Sequence, residues 1–284
     1  MANPKLYIGG DVGSFKIGAD DCHIYLGDEL MYPLSTPTDK PYLAFVAEEA
    51  GTFKLSGNSV NYSTDNGATW ATLASNTNSP TVPAGGKIMF KATLTPVKTK
   101  GIGTFSSTGR FTAQGNPMCL LFGDDFEDKT SLNGKDYAFR YIFSGSTGLT
   151  SAENISLPAT TLAQHCYAFM FYNCTSLTTA PVLSATTLAS RCYQYMFNNC
   201  TSLTTAPALP ATTLVEYCYG GMFYGCTNLN SITCLATNIS ASNCTTNWVN
   251  GVASTGTFTK ASSMSSWTTG SNGIPDGWTV QDAS

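Results

Sequence analysis

The densest group of possible metal ligands is the acidic run Asp124-Asp125-Phe126-Glu127-Asp128. Several carboxylate oxygens close together are what a hard cation such as Ca²⁺ binds. Because the spacing is not that of an EF-hand loop, a solvent-exposed turn is favoured over a calcium site. The two histidines, His23 and His165, have no recognisable partner pattern. We therefore expect no catalytic residue, no cofactor and no metal ion, and we expect the protein not to be an enzyme.

Ten cysteines form the second group of potentially reactive residues, and six of them recur as Cys-x7-Cys pairs at 166/174, 192/200 and 218/226. The Cys-x2-Cys spacing typical of a structural zinc site does not occur. On a helix, eight residues span about 12 Å, which exceeds the roughly 7 Å that a disulfide tolerates. Bridges between units, such as Cys166 to Cys192, are allowed by the spacing, but buried reduced thiols that pack as small apolar side chains are favoured.

The segment Ser63-Thr-Asp65-Asn-Gly67-Ala-Thr69-Trp70 resembles the Asp-box of sialidase-like propellers. The resemblance implies a structural element remote from any catalytic residue. Asp65-Asn66-Gly67 favours a tight hairpin turn, since Asn and Gly tolerate positive φ, and Trp70 is expected to pack beneath that turn. One copy cannot build a propeller, so we predict a hairpin without catalytic function.

The composition restricts the class of protein. Hydrophobic residues make up 42% of the 284 residues and charged residues 11%, against about 25% charged in a typical domain, which argues against disorder. The net charge of −4 argues against binding to nucleic acid. The sequence has no apolar stretch of about 18 residues, so no membrane insertion is expected, and no signal peptide is visible at its start.

A repeat of 26 residues dominates the second half of the chain. Residues 166–191 and 192–217 match at 18 of 26 positions without a gap, and residues 218–243 form a third copy that decays toward its end. A degenerate copy precedes them. Only five of the 32 charged residues lie beyond residue 165, so hydroxyl and amide groups must keep the repeats soluble. Self-similarity at this period is typical of a solenoid.

Within one unit, Cys166, Met170 and Cys174 follow the i, i+4, i+8 spacing of one helical face, which predicts a helix of about two turns. A short strand is expected at 177–181. Stacked units would align their apolar residues as interior rows. These predicted structural rows are Met170, Met196 and Met222; Phe171, Phe197 and Phe223; Cys174, Cys200 and Cys226; and Leu177, Leu203 and Leu229.

The motif Met196-Phe197-x-x-Cys200-x-x-Leu203, followed by Leu-Pro-Ala-Thr-Thr-Leu at 209–214, resembles the BspA-like leucine-rich repeats of surface proteins from Bacteroides and related bacteria. The match covers about residues 137–247. It implies a right-handed leucine-rich-repeat solenoid and a role in adhesion or recognition, but it does not identify a ligand.

The first half favours β structure, with short strand-like runs separated by Gly-rich turns. The expected fold is therefore a mainly β N-terminal region, built as a small β-sandwich or barrel-like domain, followed by a short leucine-rich-repeat α/β solenoid with a C-terminal cap. The stretch from Lys5 to Tyr32, with the strand-like runs Lys-Leu-Tyr-Ile-Gly-Gly at 5–10 and Ile-Tyr-Leu-Gly-Asp-Glu-Leu-Met-Tyr at 24–32, resembles the short N-terminal hairpins of phage tail and fibre proteins. The expected domains are anchor hairpins at 1–40, a β-rich domain at 41–128, the solenoid at 129–247 and the cap at 248–284.

Three of the four tryptophans, Trp248, Trp267 and Trp278, lie in this last segment. Large rings could seal the end of the stack while their N–H groups reach hydrogen-bond partners. The same three rings could instead form an aromatic platform for sugars. The sequence does not separate these interpretations, and the cap is favoured because the end of a repeat stack needs one.

The resemblances to BspA-like repeats and to phage hairpins imply a structural protein of a Bacteroides-infecting, crAss-like phage, with a head or tail fibre or decoration protein of the virion as the favoured role. Residues 1–40 would contact other virion proteins, and the repeats would bind a glycan or protein of the host surface. A homotrimer is expected by analogy with phage fibres. The alternative is a BspA-like adhesin at the bacterial cell surface, and a glycan depolymerase is less favoured because the repeats carry few carboxylates.

Overall fold

The computed structural model describes residues 5–8, 11–14, 23–26, 29–33, 40–265 and 267–283. Two antiparallel strand pairs, Lys5–Ile8 with Asp11–Ser14 and His23–Leu26 with Glu29–Pro33, fall in the expected anchor segment. The remainder of residues 1–39 lies outside the described residues. In the described part of the chain, no helix is long and apolar enough to cross a membrane.

Fifteen strands are assigned to the described residues. In chain order they are β1 (Lys5–Ile8), β2 (Asp11–Ser14), β3 (His23–Leu26), β4 (Glu29–Pro33), β5 (Leu43–Ala47), β6 (Phe53–Ser56), β7 (Val60–Ser63), β8 (Ala71–Leu73), β9 (Lys87–Lys91), β10 (Thr104–Ser107), β11 (Phe111–Gly115), β12 (Leu149–Ile155), β13 (Ser231–Cys234), β14 (Thr257–Lys260) and β15 (Thr279–Asp282). The helices assigned to these residues are α1 (Cys119–Phe122) and a 3-10 turn at Gly123–Asp125.

The largest sheet has six strands in the order β12-β11-β5-β9-β7-β8. Adjacent strands in this sheet run antiparallel, except for β11 and β12, which run parallel. β6 and β10 form a separate antiparallel pair. Because β12 comes from the degenerate first repeat, this sheet joins the N-terminal region to the repeats through backbone hydrogen bonds.

Phenylalanine rings fill the core beneath this sheet. The ring of Phe45 is fully buried, and its centroid lies 5.0 Å from the centroids of Phe90, Phe105 and Phe111. It also lies 5.7 Å from Phe143, which belongs to the first repeat. Buried side chains therefore continue from the sheet into the repeats without a polar layer between them.

The predicted leucine-rich-repeat α/β solenoid is wrong, and with it the expected fold class. The described chain is mostly β and contains several sheets, with 26% of residues in strands and 3% in helices. The segments predicted as two-turn helices, beginning at Cys166, Cys192 and Cys218, consist of consecutive turns instead. The physical reason lies in the backbone conformation of every fourth residue.

Residues with positive φ recur at intervals of four through these segments. In one unit they are His165 (φ 56°), Phe169 (φ 58°) and Asn173 (φ 58°). A left-handed residue cannot continue a right-handed helix, so each one ends a turn and begins the next. The same three-step pattern occurs in five segments, which are 137–145, 165–173, 191–199, 217–225 and 243–251.

Backbone hydrogen bonds in these segments alternate between two directions. The N–H groups of Met170 and Cys174 donate within the segment, to the carbonyl oxygens three residues earlier. The N–H groups of Tyr167, Phe169 and Phe171, at the alternate positions, donate to carbonyl oxygens of the next segment over 2.8–2.9 Å. Each turn segment is thus hydrogen-bonded to the following one, and we call the five together the turn stack.

All twelve side chains of the interior rows proposed from the sequence are fully buried, in the turn stack or directly after its segments. The phenyl rings of Phe143, Phe171, Phe197 and Phe223 follow one another with centroid distances of 5.4–5.8 Å and interplanar angles below 10°. The thiol of Cys200 donates to the carbonyl oxygen of Phe171 over 3.1 Å. These cysteines therefore serve as small buried donors that link successive units.

The C-terminal residues form a parallel sheet in the order β13-β14-β15. Trp248 is 26 residues beyond Met222 and stacks on the interior of the fourth segment, with its ring 6.3 Å from that of Tyr219. Its indole N–H donates to the carbonyl oxygen of Gly273 over 2.8 Å. The tryptophan therefore closes the apolar interior and still satisfies its polar atom.

Burial determines the reactivity of the cysteines. All nine described cysteines are free and buried, and desolvation raises the pKa of Cys226 and of Cys234 to about 12. Because only the thiolate is nucleophilic, we expect these nine to resist a thiol-specific disulfide reagent in the folded protein. At least nine should react after denaturation without reductant. A count well below nine in the denatured chain would show that disulfides form.

The left-handed positions can be tested with two glycines. A Cβ at Gly221 (φ 62°) would lie 2.2 Å from the ring of Tyr195, whereas one at Gly134 (φ 70°) meets no atom within 4 Å. We expect Gly134→Ala to cost about 1–2 kcal/mol through the left-handed backbone alone. Gly221→Ala should cost more, since the tyrosine ring must also move. Equal free energies of unfolding in the two variants, measured by denaturant titration, would contradict the packing of Tyr195 over Gly221.

Candidate ligand-binding face

The left-handed positions of the turn stack carry half-buried side chains that align from one segment to the next. Tyr141, Phe169 and Tyr195 occupy the second such position of the first three segments, and Tyr137, His165, Arg191 and Tyr217 occupy the first position of the first four. We call these two lines of side chains the ring rows. The backbone ladder fixes their spacing, so their geometry is a consequence of the fold.

Rings that are direct neighbours in a row stack on one another. Phe169 lies between Tyr141 and Tyr195, with centroid distances of 4.9 Å on both sides. In the other row, Tyr137 stacks on His165 at 4.8 Å with an interplanar angle of 14°. These separations are close to the strand spacing of a β-sheet. Stacking covers the faces of the inner rings, so mainly ring edges remain for a ligand.

The guanidinium of Arg140 lies between the two ring rows. Its carbon atom is 4.7 Å from the ring centroid of Tyr141, 5.2 Å from that of Phe169 and 5.6 Å from that of Tyr137. One terminal nitrogen donates to the hydroxyl of Tyr141 over 3.1 Å. Cation–π contacts with three rings hold the charged group in one place. No described residue accepts a hydrogen bond from its buried Nε.

The second arginine of the face, Arg191, has a carboxylate partner. Its terminal nitrogen lies 3.2 Å from Glu216, and its guanidinium carbon is 4.6 Å above the ring of Tyr217. Arg140 has no such partner among the described residues, because the ion pairs assigned there involve other cations. Of the two guanidinium groups, that of Arg140 is therefore the one with an unneutralised charge.

Two clefts are each lined by one of the tyrosines that contact Arg140. The first, of about 530 Å³, includes Tyr137 in its lining, and the second, of about 520 Å³, includes Tyr141. Lysine side chains line both clefts. The lining of the first cleft is Thr95, Pro96, Lys98, Gly134, Lys135, Asp136, Tyr137 and Gln164, and that of the second is Ser56, Gly57, Asn76, Thr99, Lys100, Thr104, Tyr141 and Ser144.

His165 is held neutral within this face. Partial burial, together with the charges of Arg140 and Arg191, lowers the pKa of its imidazole to about 4. Its Nδ1 is buried and has no hydrogen-bond partner among the described residues. The imidazole therefore contributes a flat ring to the row and no positive charge at neutral pH.

The depressed pKa of His165 predicts a pH-dependent stability. Its usual value of 6.5 applies to the unfolded chain, which therefore binds the proton more readily between about pH 6.5 and pH 4. The folded protein should lose stability as the pH falls through this range. In His165→Tyr, the ring row is kept, because Tyr137 and Tyr217 hold the equivalent positions. The part of the acid-induced loss of stability that His165 causes should disappear in this variant.

Thermal melts of the wild type and the His165→Tyr variant at pH 7.5 and pH 4.5 measure this difference. Carboxyl groups titrate equally in both proteins, so they cancel in the comparison. If the two proteins lose the same amount in Tm on acidification, His165 does not have a lowered pKa.

Two of the four acidic side chains in the run Asp124–Asp128, those of Asp124 and Glu127, are engaged in contacts within the chain. Lys91 donates to both carboxylate oxygens of Asp124 at 2.9 and 3.0 Å, and the hydroxyl of Tyr42 donates to the same carboxylate. Lys40 pairs with Glu127 at 3.0 Å. The hydrogen bond from Tyr42 and the charge of Lys91 lower the pKa of Asp124, against the effect of its partial burial. Among the described residues, no cluster of three or more acidic, histidine or cysteine side chains is arranged to hold a metal ion.

The Asp-box segment forms the hairpin between β7 and β8. Asp65 accepts hydrogen bonds from the hydroxyl of Ser63 at 2.6 Å and from the backbone N–H of Thr69 at 2.9 Å. Partial burial opposes ionisation, but these bonds outweigh it and lower the pKa of Asp65 to about 2. The indole N–H of Trp70 donates to Gly67 over 3.1 Å. The side chains of Ser63, Asp65 and Trp70 thus stabilise the turn.

The three tryptophans considered as ligand-binding aromatics lie at the closed end of the turn stack. Trp248 is fully buried and Trp278 is 7% exposed. The indole N–H of Trp278 donates to Ala253 over 2.8 Å, and Trp267 stacks on Trp248 at 5.7 Å. Rings packed in this way offer no free face to a sugar, so Trp248 and Trp278 are not suited to that role.

The ring rows and Arg140 were not among the residues singled out from the sequence. The available signal was the recurrence of Asn or Gly every 26 residues, at Asn173, Asn199 and Gly225, all of which adopt positive φ. Residue types that tolerate this conformation mark the turns. Counting back in steps of four from those positions leads to Phe169 and His165.

No protein-family model, no curated protein and no solved structure matches this chain. The functional assignment of the protein therefore rests on the chemistry of the ring rows and of the two clefts beside Arg140.

Proposed function

We propose that this protein is a phage virion structural protein, a head or tail fibre or decoration protein, whose repeats bind a glycan of the host surface. The observation that supports this most directly is the line of half-buried tyrosine side chains along the turn stack, beside clefts lined by threonine, asparagine and glutamine side chains. Glycans are bound by side chains of this kind, placed so that polar groups fix orientation. That the protein is a component of the virion is also part of the proposal.

Preorganisation supports a recognition role. The turn segments are held by backbone hydrogen bonds between units and by buried rings, so the side chains of the face are ordered before a ligand arrives. Less conformational freedom is then lost on binding. Hydroxyl groups also join successive units, since Thr201 and Ser202 donate to the carbonyl oxygen of Thr175 in the preceding unit.

Weak binding by one chain becomes useful when several copies act together. Avidity can multiply affinity by about 10²–10⁴ when the geometry allows simultaneous contacts. A homotrimer, as in phage fibres, would provide such copies. In this proposal residues 1–40 attach the protein to other virion proteins, and the ring rows face the host.

A BspA-like adhesin on a bacterial surface is the alternative, since the same face would serve adhesion there. A glycan depolymerase is less favoured. Glycoside hydrolysis needs two carboxylates about 5–9.5 Å apart, whereas Glu216, the acidic residue of the later repeats nearest the ring rows, is paired with Arg191.

Two measurements test the proposed function. Mass spectrometry of purified virions should detect the protein in fixed stoichiometry with capsid or tail proteins, and its recovery from bacterial outer surfaces instead would favour the adhesin. Purified full-length protein should also bind host capsular polysaccharide without releasing oligosaccharides. Release of oligosaccharides would indicate a depolymerase.

A further inference from the structure

The end of the turn stack nearest the N-terminal region gathers positive charge that the described residues do not neutralise. Lys98, Lys100 and Lys135 line the two clefts that Tyr137 and Tyr141 share with them, and neither these lysines nor Arg140 forms an ion pair with a described residue. The two linings carry one acidic residue, Asp136, against these three lysines. The protein as a whole carries a net charge of −4, so this local excess is opposite in sign to the whole.

Arg140 is the group best placed to bind an anion. Three aromatic rings fix its guanidinium, and its other terminal nitrogen makes only a long contact of 3.4 Å to the carbonyl oxygen of Lys98. A guanidinium presents a planar fork of donors that matches a carboxylate. A fork that is already oriented loses little side-chain entropy when it binds.

The surroundings of Arg140 are suited to a sugar. Asn76 and Thr104 line the second cleft, and Thr95 and Gln164 line the first. Their hydroxyl and amide groups both donate and accept, as sugar hydroxyls do. Bases of single-stranded nucleic acid, by contrast, need free ring faces for stacking, and the ring rows cover most of those faces themselves at 4.8–4.9 Å.

We infer that the face formed by Arg140, Tyr137, Tyr141 and the adjoining lysines binds an acidic saccharide, with the carboxylate of a sugar residue on the Arg140 guanidinium. This inference rests on the proposed glycan-binding function and names its site and ligand class. The flanking lysines, Lys98, Lys100 and Lys135, supply longer-range attraction that salt weakens.

The test uses the full-length protein and an array of uronate- and sialate-bearing oligosaccharides, each printed beside its carboxyl-reduced neutral form. Oligothymidylate serves as an anion of a different class. We expect binding to one or more acidic glycans, loss of that binding on carboxyl reduction, and weakening as salt increases. Arg140→Gln should weaken the binding roughly tenfold or more, which corresponds to about 1.4 kcal/mol, and Arg140→Lys should fall between the two.

Lys260→Gln is the matched control. Lys260 is a half-buried cation on β14 that pairs with Asp282 at the opposite end of the molecule, so its loss should leave glycan binding unchanged. Circular dichroism and the Tm of each variant show whether it is folded. A folded Arg140→Gln protein that binds as tightly as the wild type would overturn the inference.

The remaining outcomes separate this inference from the proposed function. Equal binding to acidic and carboxyl-reduced glycans would overturn the acidic ligand while supporting glycan recognition. Oligothymidylate bound as tightly as the acidic glycans would indicate a general polyanion site and overturn the inference. Failure to bind any glycan on the array or on the host capsule would contradict both.

Discussion

The structure depends on one backbone constraint, which is a left-handed residue at every fourth position of each turn segment. Such a residue prevents a helix from forming, and alternate N–H groups are left pointing along the stack. Those groups are satisfied only by the carbonyl oxygens of the next segment, as Tyr167 is by Cys192. An unpaired backbone group would be costly in so buried a place, so each unit requires its neighbour.

Side-chain packing is a consequence of this ladder. Units held at one spacing bring identical side chains into contact, and flat rings stack most readily at that distance. A continuous line of aromatic rings therefore begins at Phe45 beneath the six-stranded sheet, passes through Phe143 and Phe171, and ends at the indole of Trp248. The same ladder places Tyr141, Phe169 and Tyr195 in contact on the outside. Interior and exterior rows share one cause.

The repeat and its apolar residues could be predicted from the sequence, but the form of each unit could not. Cys166, Met170 and Cys174 are spaced by four, and over eight residues this spacing fits consecutive four-residue turns as well as a helix of 3.6 residues per turn. The Asp65 hairpin was predictable because a local motif specifies it. Arg140 was not, since its position depends on rings that come from two different repeats and on a loop carrying Lys98.

The two most similar units, residues 166–191 and 192–217, have a consequence for how the gene can change. The turn segment of each unit makes the same pattern of backbone hydrogen bonds with the segment before it and the segment after it. Duplication or deletion of a whole unit therefore recreates the existing bonds between turn segments. Copy number can therefore alter the length of the molecule in uniform steps without redesign of either end. Variation in reach among descendants of one ancestor is a natural outcome of this architecture.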